Sequence, residues 1–492
     1  MPKVDEIISL IKGGVNKQEE EILIEAYKAA EGAHAGQKRM SGEPYFIHPF
    51  EIAKILAQLG MDVQTIVAGL LHDVLEDTKI TEKELEEKFG PEVLGLVSGV
   101  TSLGKLKYRG RERHVESLRK FFFAMASDLR VVIVKFADRL HNLRTLQHLP
   151  EAKRKRIAIE SIDVYAPLAN RLGMWKLKSE IEEAAFPFAY PVEYKQIEEI
   201  VEGKKSSYEK NLSKVKTELE RELEKSKNKV VEINYRVKNN YSLWRKLIKR
   251  EMDINKIYDM IALRIIVEDV EECYRILGLI HSIWRPLPSR IKDYIAIPKP
   301  NGYQSIHTTI FTGGGQTAEI QIKTREMQAE AIDGIAAYFA YKEKKEKKNG
   351  NNTDEKFKLK WLEELKGLNY TSNDSGKFLE NLKMDFFNDR IFVFTPQGDV
   401  IDLPEDSTAI DFAYSIHSDI GNHTSGVKIN GKMSNIFSEL KNRDIVEIIT
   451  KSDAHPSSKW LEHTKTTIAK KHIKQYLEKN SLLSRLKSFG QS

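Results

Sequence analysis

From residue 18 to 190, apolar side chains recur at spacings of three and four, as in EILIEAYKAA and PFEIAKILAQLG, with Gly or Pro marking the ends of the runs. That period puts them on one face of a 3.6-residue helix, so the stretch predicts an all-helical domain. Residues 192–228 keep the helical period but are densely charged and poor in large apolar groups, the pattern of a solvated helical connector. From 230 to 340 the period changes. β-Branched runs (ALRIIV, YIAIP, SIHTTIF, EIQIKT) alternate with helical stretches, which predicts a mixed sheet carrying helices. The lysine-rich stretch 342–358 has no apolar period and reads as a linker. From 388, IFVFT and VIDLP flank a Pro396-Gln397-Gly398 turn. A helix capped by Ser407 or Thr408 follows, then VKI, an Asn430-Gly431 turn, a short helix at NIFSEL and the closing strand DIVEIIT. Two hairpins around a helix predict a ubiquitin-like β-grasp.

At about 150 residues per domain, 492 residues leave room for about three domains. Lys and Arg total 78 against 72 Asp and Glu, a net +6, and 30% charged beside 41% hydrophobic residues is the balance of an ordinary globular chain. The mild positive excess suits anionic ligands and calls for neither DNA nor a membrane as partner. No apolar run approaches the roughly 18 residues of a spanning helix, and the apolar core of MPKVDEIISLIKGG is too short for a signal peptide, so a cytoplasmic protein is expected. The single cysteine, Cys273, excludes an intrachain disulfide and a zinc site built on several thiolates.

Candidate chemistry gathers in two places. In the helical stretch, Leu71-His72-Asp73-Val74-Leu75-Glu76-Asp77 on a helix puts His72 one turn from Glu76 and Asp73 one turn from Asp77. Neutral nitrogen mixed with ionised oxygen suits Mn²⁺, Fe²⁺ or Zn²⁺, and spare carboxylates can take a proton from water. His48, ahead of Pro49 at an expected helix start, and Asp138 in FADRLHN can complete the shell. A His-Asp pair alone also fits a solvated acidic helix face, but His, then His-Asp, then Asp on successive helices is the pattern of an HD-type phosphohydrolase. Gly99 to Lys105 imitates a phosphate loop. Leu106 stands where the metal-holding hydroxyl belongs, and the preceding segment reads helical.

In the mixed-sheet stretch Asp259 opens DMIALRIIV, and period two puts Glu319, Gln321 and Lys323 on one face of AEIQIKT with isoleucines on the other. Between the two acids lie Arg290, Lys292, Lys299 and PNGYQSIH. Cations can neutralise polyphosphate oxygens, two carboxylates can hold Mg²⁺ and accept a proton, and Tyr303 offers a face for a base. Those are the ingredients of nucleotide chemistry, although a basic surface loop beside a buried aromatic leaves the same trace. Gly313-Gly314-Gly315 between two strand-like runs reads as a hairpin turn.

SGEPYFIHP, LLHDVLEDT, KFADRLHNLRT, YAPLANRLG, RIKDYIAIPKPNGYQSIHTT and AEIQIKT, in this order, resemble the RelA/SpoT homologue family over nearly the whole chain. These are the bifunctional (p)ppGpp synthetase/hydrolases of the bacterial stringent response. The resemblance implies a multidomain α and α+β fold. Its parts would be an all-helical HD-type hydrolase domain at 1–190, a helical connector at 191–229 and a mixed-sheet, nucleotidyltransferase-like synthetase domain at 230–342. A linker and helix at 343–387, a β-grasp TGS domain at 388–450 and a basic helical tail at 451–492 would follow.

For the first domain the resemblance implies removal of the 3′-pyrophosphate of (p)ppGpp, with Mn²⁺ held by His48, His72, Asp73 and Asp138. Glu76 and Asp77 would activate water, and Arg39, Asn142 and Thr145 would line the guanosine pocket. For the second it implies transfer of pyrophosphate from ATP to the 3′-oxygen of GDP or GTP, with Mg²⁺ on Asp259 and Glu319 and Glu319 as the base. Tyr303 would stack on guanine, and Arg236, Lys238, Lys246, Arg264, Lys292, Lys299 and His307 would surround phosphates. Synthesis-only members lack the His-Asp signature and carry an acidic loop where this chain reads Arg290-Ile291-Lys292-Asp293, so the resemblance is to bifunctional members. The TGS-like module implies contact with uncharged tRNA on the ribosome. The tail KTTIAKKHIKQYLEK, basic and amphipathic, fits either RNA or the start of another packed domain.

Three positions depart from the family pattern. Met40 replaces a second basic residue, Lys323 replaces the arginine of EIQIRT, and Tyr338-Phe339 replace His-Trp. Lysine keeps the charge but loses the fork geometry of arginine. Two rival readings stand beside this one: an HD phosphohydrolase of other nucleotides with an inert second domain, and a tRNA or ribosome adaptor with degenerate catalytic domains. The carboxylates present at 73, 76, 77, 259 and 319 count against the adaptor.

Overall fold

The computed structural model describes residues 3–104, 124, 127–226, 230–254, 257, 261–299, 301–313, 316–336 and 390–489. Lys105, Leu106, Asp259, Gly314, Gly315, Tyr338, Phe339 and the expected linker and helix at 343–387 lie outside the described residues. The chain divides into two units, Met1–Leu368 and Asn369–Ser492.

The first unit opens with helices α1 (Val4–Leu10), α2 (Lys17–Ala33), α3 (Ile47–Gln58), α4 (Val63–Leu71), α5 (Val74–Asp77) and α6 (Glu82–Gly104). After these come α7 (Leu129–Arg144), α8 (Glu151–Glu160), α9 (Ala166–Arg171) and α10 (Trp175–Ala189). Several starts are fixed by side-chain caps: Asn16 accepts from Glu19 N, Asp62 from Thr65 N and Asp128 from Arg130 N, each satisfying a helix-end donor that otherwise lacks a partner. α3 packs against α4 and α7. Phe50, Ile52, Leu56, Ile66, Leu70, Val132 and Phe136 form their shared core. Gly69 permits the close approach, because a Cβ there would sit 2.4 Å from Leu56 Cδ1.

LHDVLED does not form the single helix its spacing predicts. α4 stops at Leu71, and α5 restarts at Val74 with Glu76 N and Asp77 N bonded to Asp73 O at 3.1 and 2.9 Å. Neighbours on a continuous helix diverge by about 100°. The break lets His72 and Asp73 turn to the same point instead. Between α8 and α9, Ser161–Tyr165 forms a π-turn that seats the Tyr165 hydroxyl 2.6 Å from Arg139 Nη2.

α11 (Pro191–Ser226) corrects the expectation of a solvated connector. Its Leu212, Val215, Leu219 and Leu223 join the core of the following sheet. Four apolar residues at spacings of three and four make a stripe one residue wide, enough to cover a sheet although the rest of the helix is charged. The sheet contains β1 (Val230–Val237), β2 (Ile261–Val267), β3 (Lys292–Asp293), β4 (Ile306–Gly313) and β5 (Gln316–Thr324), in the order β1-β2-β5-β4-β3. Only β2 and β5 run parallel. α11 and α13 (Val270–Ile283) cover one face, where Leu263, Ile265, Ile310, Ile320 and Ile322 are buried. On the other face the register aligns Asn234, Arg264, Gln321, His307 and Lys292 in one row across all five strands.

The helical part and the sheet part meet backbone to backbone. α14 (Arg325–Asp333) ends at Gly334, whose φ of +55° and distance of 2.4 Å from an added Cβ to Gly173 C exclude a larger residue. Ile335 N donates to Leu172 O, and Asn301 Nδ2 to Asn170 O. Buried Glu182 of α10 accepts from Asn239 Nδ2 and Ser242 Oγ, which ties down the first turn of α12 (Asn240–Ile248).

The second unit contains a hairpin of β6 (Arg390–Phe394) and β7 (Val400–Pro404), then α15 (Ala409–Ile416) and α16 (Ser418–Asn422). A sheet of β8 (Thr424–Ile429), β9 (Lys432–Ser434) and β10 (Val446–Thr450) follows, ordered β10-β8-β9. Thr408 is the cap of α15, and Asn430 and Gly431 take φ of 52° and 78°, as a type I′ turn requires. NIFSEL is not a helix. Asn435 Oδ1 accepts from Phe437 N, an alternative to helical bonding that closes a turn instead. The tail packs: Asp411, fully buried, accepts from Lys465 N and Thr466 N, and Ala469 and Ile473 of α18 (Thr467–Phe489), beyond the short α17 (Trp460–His463), rest on Ile410 and Tyr414. Among the described residues no helix is long and apolar enough to cross a membrane.

Candidate functional site

Where α3, the α4–α5 break and α7 converge, ligand atoms of His48, His72 and Asp138 lie within 4.8 Å of one another, and all three residues are buried. His48 Nε2 is 3.3 Å from Asp138 Oδ1 and 3.7 Å from Asp73 Oδ2, and His72 Nε2 is 2.9 Å from Asp73 Oδ2. The protons can be placed by elimination. His72 Nδ1 donates to Gly69 O at 3.0 Å, so in the neutral ring Nε2, 2.9 Å from Asp73 Oδ2, is bare. Arg39 Nη1 can only donate, so His141 Nδ1, 3.0 Å away, is an acceptor. The 2.8 Å contact between His48 Nδ1 and His141 Nδ1 therefore carries its proton on His48, and His48 Nε2 is bare too.

Two imidazole lone pairs thus face carboxylate oxygens in a water-poor pocket. Such a donor set is self-repelling unless a cation sits among them, and its mixture of nitrogen and oxygen fits a divalent transition metal. The electrostatics show the same pull toward positive charge at this point: without a metal the carboxylates draw a proton onto His72 Nε2, and a cation among the donors takes that place. Burial would raise Asp138, but Lys135 Nζ, 2.6 Å away, together with His48 and His72, holds it well below the ordinary carboxylate range. Burial would lower His72, but Asp73 raises it, because the carboxylates favour positive charge at Nε2. His141 is pushed down to about 3, first by burial and then by its neighbours, of which the Arg39 guanidinium carries a fixed positive charge; this keeps it neutral and able to accept.

Around this core, Asn142 Nδ2 donates to Asp138 Oδ1 and Arg39 Nη2 to Asn142 Oδ1. Thr145 Oγ1 bonds to the His141 carbonyl. Glu76 and Asp77 are exposed beside the cluster, and Tyr45 Oη lies 2.8 Å from Asp73 Oδ2 and 2.9 Å from Asp77 Oδ2. Met40 is 72% exposed.

The second polar cluster lies on the open face of the sheet. Gln321 Nε2 donates to Glu319 Oε1 at 2.8 Å, and His307 Nδ1 is 3.6 Å from the same oxygen. Tyr303 Oη is 2.8 Å from His307 Nε2 and accepts from Lys323 Nζ at 3.2 Å. Lys299 and Lys323 ammonium groups stand 5.2 and 4.6 Å from the centre of the Tyr303 ring. Arg236 stacks on Trp175 of α10 at 4.3 Å. Lys292 is opposite His307 on β3, and Lys246 of α12 acts on Lys299 together with Lys178 of α10. Lys238 follows β1. Burial, then Lys292 and Arg236, push Lys299 down to about 8; burial, then Arg264 and Arg236, push Lys323 down to about 7. Crowded cations with few carboxylates describe a site for a polyanion.

Comparison with known proteins decides the family. Residues 26–175 match the HD domain, 235–346 the region found in RelA / SpoT proteins and 391–450 the TGS domain. Over 94% of its length the chain is 45% identical to a guanosine-3′,5′-bis(diphosphate) 3′-pyrophosphohydrolase of Aquifex aeolicus, covering 65% of that protein. It is 44% identical to a GTP pyrophosphokinase of Myxococcus xanthus (93% of this chain, 60% of the relative) and 41% identical to the bifunctional (p)ppGpp synthase/hydrolase SpoT of Escherichia coli (93% and 64%). The chain belongs to the RelA/SpoT family. It spans less than two thirds of the length of these relatives. An HD domain implies use of a divalent metal, and the His48, His72 and Asp138 triad is able to hold one.

Within this RelA/SpoT frame, sequence reasoning missed Tyr45, Lys135 and His141, none of which carries a periodic or charge signal beyond its neighbours. Only the packing of α3, and of the segment before it, on α7 gives His141 its partners His48 and Arg39. Trp175 and Lys178 were missed for another reason: they belong to the helical stretch yet face the sheet site.

Proposed function

We propose that this chain both destroys and makes (p)ppGpp. At the helical site it would hydrolyse (p)ppGpp to GDP or GTP and pyrophosphate; at the sheet site it would transfer pyrophosphate from ATP to the 3′-oxygen of GDP or GTP. What carries the reading is the pairing, in one chain of this family, of a buried donor set that demands a cation with a cationic sheet face that demands a polyphosphate. Relatives named for each direction and for both support it.

In hydrolysis, His48, His72, Asp73 and Asp138 would hold Mn²⁺. Bound there, the metal would supply a Lewis acid for water and for phosphoryl oxygens. Water must lose a proton and the departing 3′-oxygen must gain one; Glu76 and Asp77 would carry out that exchange, with Tyr45 in hydrogen-bond reach of Asp77. Arg39 and Asn142, already bonded to each other, would line the guanosine pocket with Thr145.

In synthesis, Glu319 would take the proton of the 3′-hydroxyl as its oxygen attacks the β-phosphorus of ATP and AMP departs. Gln321 orients the Glu319 carboxylate. Glu319, with Asp259, would hold Mg²⁺. Arg236, Lys238, Lys246, Arg264, Lys292, Lys299 and His307 would bind and orient the phosphates, and Tyr303 the guanine. The TGS domain would contact uncharged tRNA on the ribosome.

The test follows labelled ATP with GDP and Mg²⁺, then the labelled product with Mn²⁺, in wild type, Asp73→Ala and Asp259→Ala. Each substitution should silence one direction only. An Asp259→Ala protein that still forms product refutes the synthetase half.

A further inference from the structure

Lys323 is 3% exposed, and its one hydrogen bond is to the neutral Tyr303 hydroxyl. Among the described residues, the groups that face it are Arg264 from β2, Arg236 from β1, Lys299 and Tyr303 from the loop before β4, and His307 of β4 through Tyr303. Glu319, the carboxylate on its own strand, is bonded to Gln321. Among the described residues Arg264 Nε is itself buried without a hydrogen-bond partner. A buried ammonium set among other cations is unfavourable, and two of its neighbours are arginines, which keep their protons in proteins. Relief therefore falls on the lysines. Lys323 is pushed down to about 7 and Lys299 to about 8, whereas His307 is already held neutral by burial and by these same lysines.

We propose that Lys323 adjusts the charge of the sheet site, neutral while no polyphosphate is bound and protonated when one enters, so that nucleotide binding takes up a proton from solvent. This rests on the nucleotide reading of the site. An arginine at this position has no such freedom; the lysine makes affinity depend on pH where an arginine would leave it flat. In the bound state the phosphates supply the missing counter-charge, and the ammonium becomes a donor to them as well as to Tyr303.

Calorimetric titration of the full chain with Mg²⁺ and either GDP or the α,β-methylene analogue of ATP, repeated in Tris and in Hepes at about pH 7.5, reads the proton count from the difference in heats. Wild type should take up about half to one proton with at least one nucleotide, and its affinity should weaken toward about tenfold per pH unit from pH 7 upward. Lys323→Arg should bind with the uptake largely lost and the pH slope reduced, the remainder coming from Lys299. Lys323→Met, checked for native circular dichroism, should lose the uptake as well while binding more weakly. Tight binding without proton uptake in wild type, or equal uptake in Lys323→Arg, overturns the proposal and leaves the synthetase reading standing. Absence of binding by either nucleotide to wild type overturns both.

Discussion

The helical site and the sheet site are mirror images in charge. Around His48 and His72, lone pairs and carboxylates converge on one point; around Tyr303, lysine and arginine side chains do. Neither arrangement is stable as an apolar core would be, because a buried charge is costly until something of opposite sign meets it. The first site asks for a metal, the second for phosphates. Burial of charge without its partner is therefore the more informative signal than the identity of any one residue, and it separates two sites that share a chain and a domain junction.

The largest effect expected comes from removing the carboxylate that the first site is built around. Asp138→Asn should abolish Mn²⁺ binding, read by metal content after dialysis, and cut hydrolysis by more than the roughly 10²-fold that losing a group behind a metal ligand costs. Synthesis should be unchanged. Retained stoichiometric metal in this variant would break the comparison at its first term. Next is Glu319→Gln, whose amide can keep the contact with Gln321 but cannot take a proton. Synthesis should fall by about 10² to 10⁴-fold, the usual worth of a general base, with hydrolysis spared. Synthesis within tenfold of wild type would remove Glu319 from that role.

These two predictions use residues that were legible in the sequence, and the reason is local. His48, the His72-Asp73 pair and Asp138 sit in short motifs, and Glu319 lies in a period-two strand whose isoleucines fix its face. What could not be read depends on non-local packing. The helix break at His72 leaves no Pro or Gly mark at those two positions, since His and Asp are both acceptable inside a helix and their backbone angles stay close to helical. α11 was misjudged because its average composition hides a stripe of four buried residues. The polar row from Asn234 to Lys292 needs the strand order, with β5 inserted between β2 and β4, and no pattern along the chain encodes that order. The β-grasp was legible through its turns, except at NIFSEL, where a helix-like apolar period yields to an Asn side-chain bond.

A third test addresses the contact between the two regions. Both glycines take a positive φ, +55° at Gly334 and +73° at Gly173, but Gly334→Ala puts a Cβ within 2.4 Å of the Gly173 backbone, whereas Gly173→Ala meets only Asn301 O at 3.0 Å and Gly334 Cα at 3.3 Å. Gly334→Ala should cost about 1–3 kcal/mol, and Gly173→Ala less, as the midpoint of denaturant unfolding reports. Because the loop bearing Asn301 leads to Tyr303, Gly334→Ala should also lower synthesis more than hydrolysis. Equal stability of the two variants would mean that the backbone docking of α9 and α14 contributes little.

The smallest effect is the most selective. The Tyr45 hydroxyl has one proton and lies within hydrogen-bond reach of two carboxylate oxygens, Asp73 Oδ2 at 2.8 Å and Asp77 Oδ2 at 2.9 Å. It can satisfy only one at a time, so it links a residue of the metal cluster to a residue of the proton exchange and keeps their spacing fixed. Its ring stacks on His34 at 4.8 Å and survives in Tyr45→Phe, which confines the change to the hydroxyl. Loss of one hydrogen bond to a charged group is worth about 1.5 kcal/mol, or roughly tenfold in rate. If Tyr45 positions Asp77 for proton exchange, kcat for hydrolysis should fall by that factor with KM nearly constant, and synthesis should not move. A rise in KM at constant kcat would instead place the hydroxyl against substrate and take the link between the two carboxylates out of the chemistry.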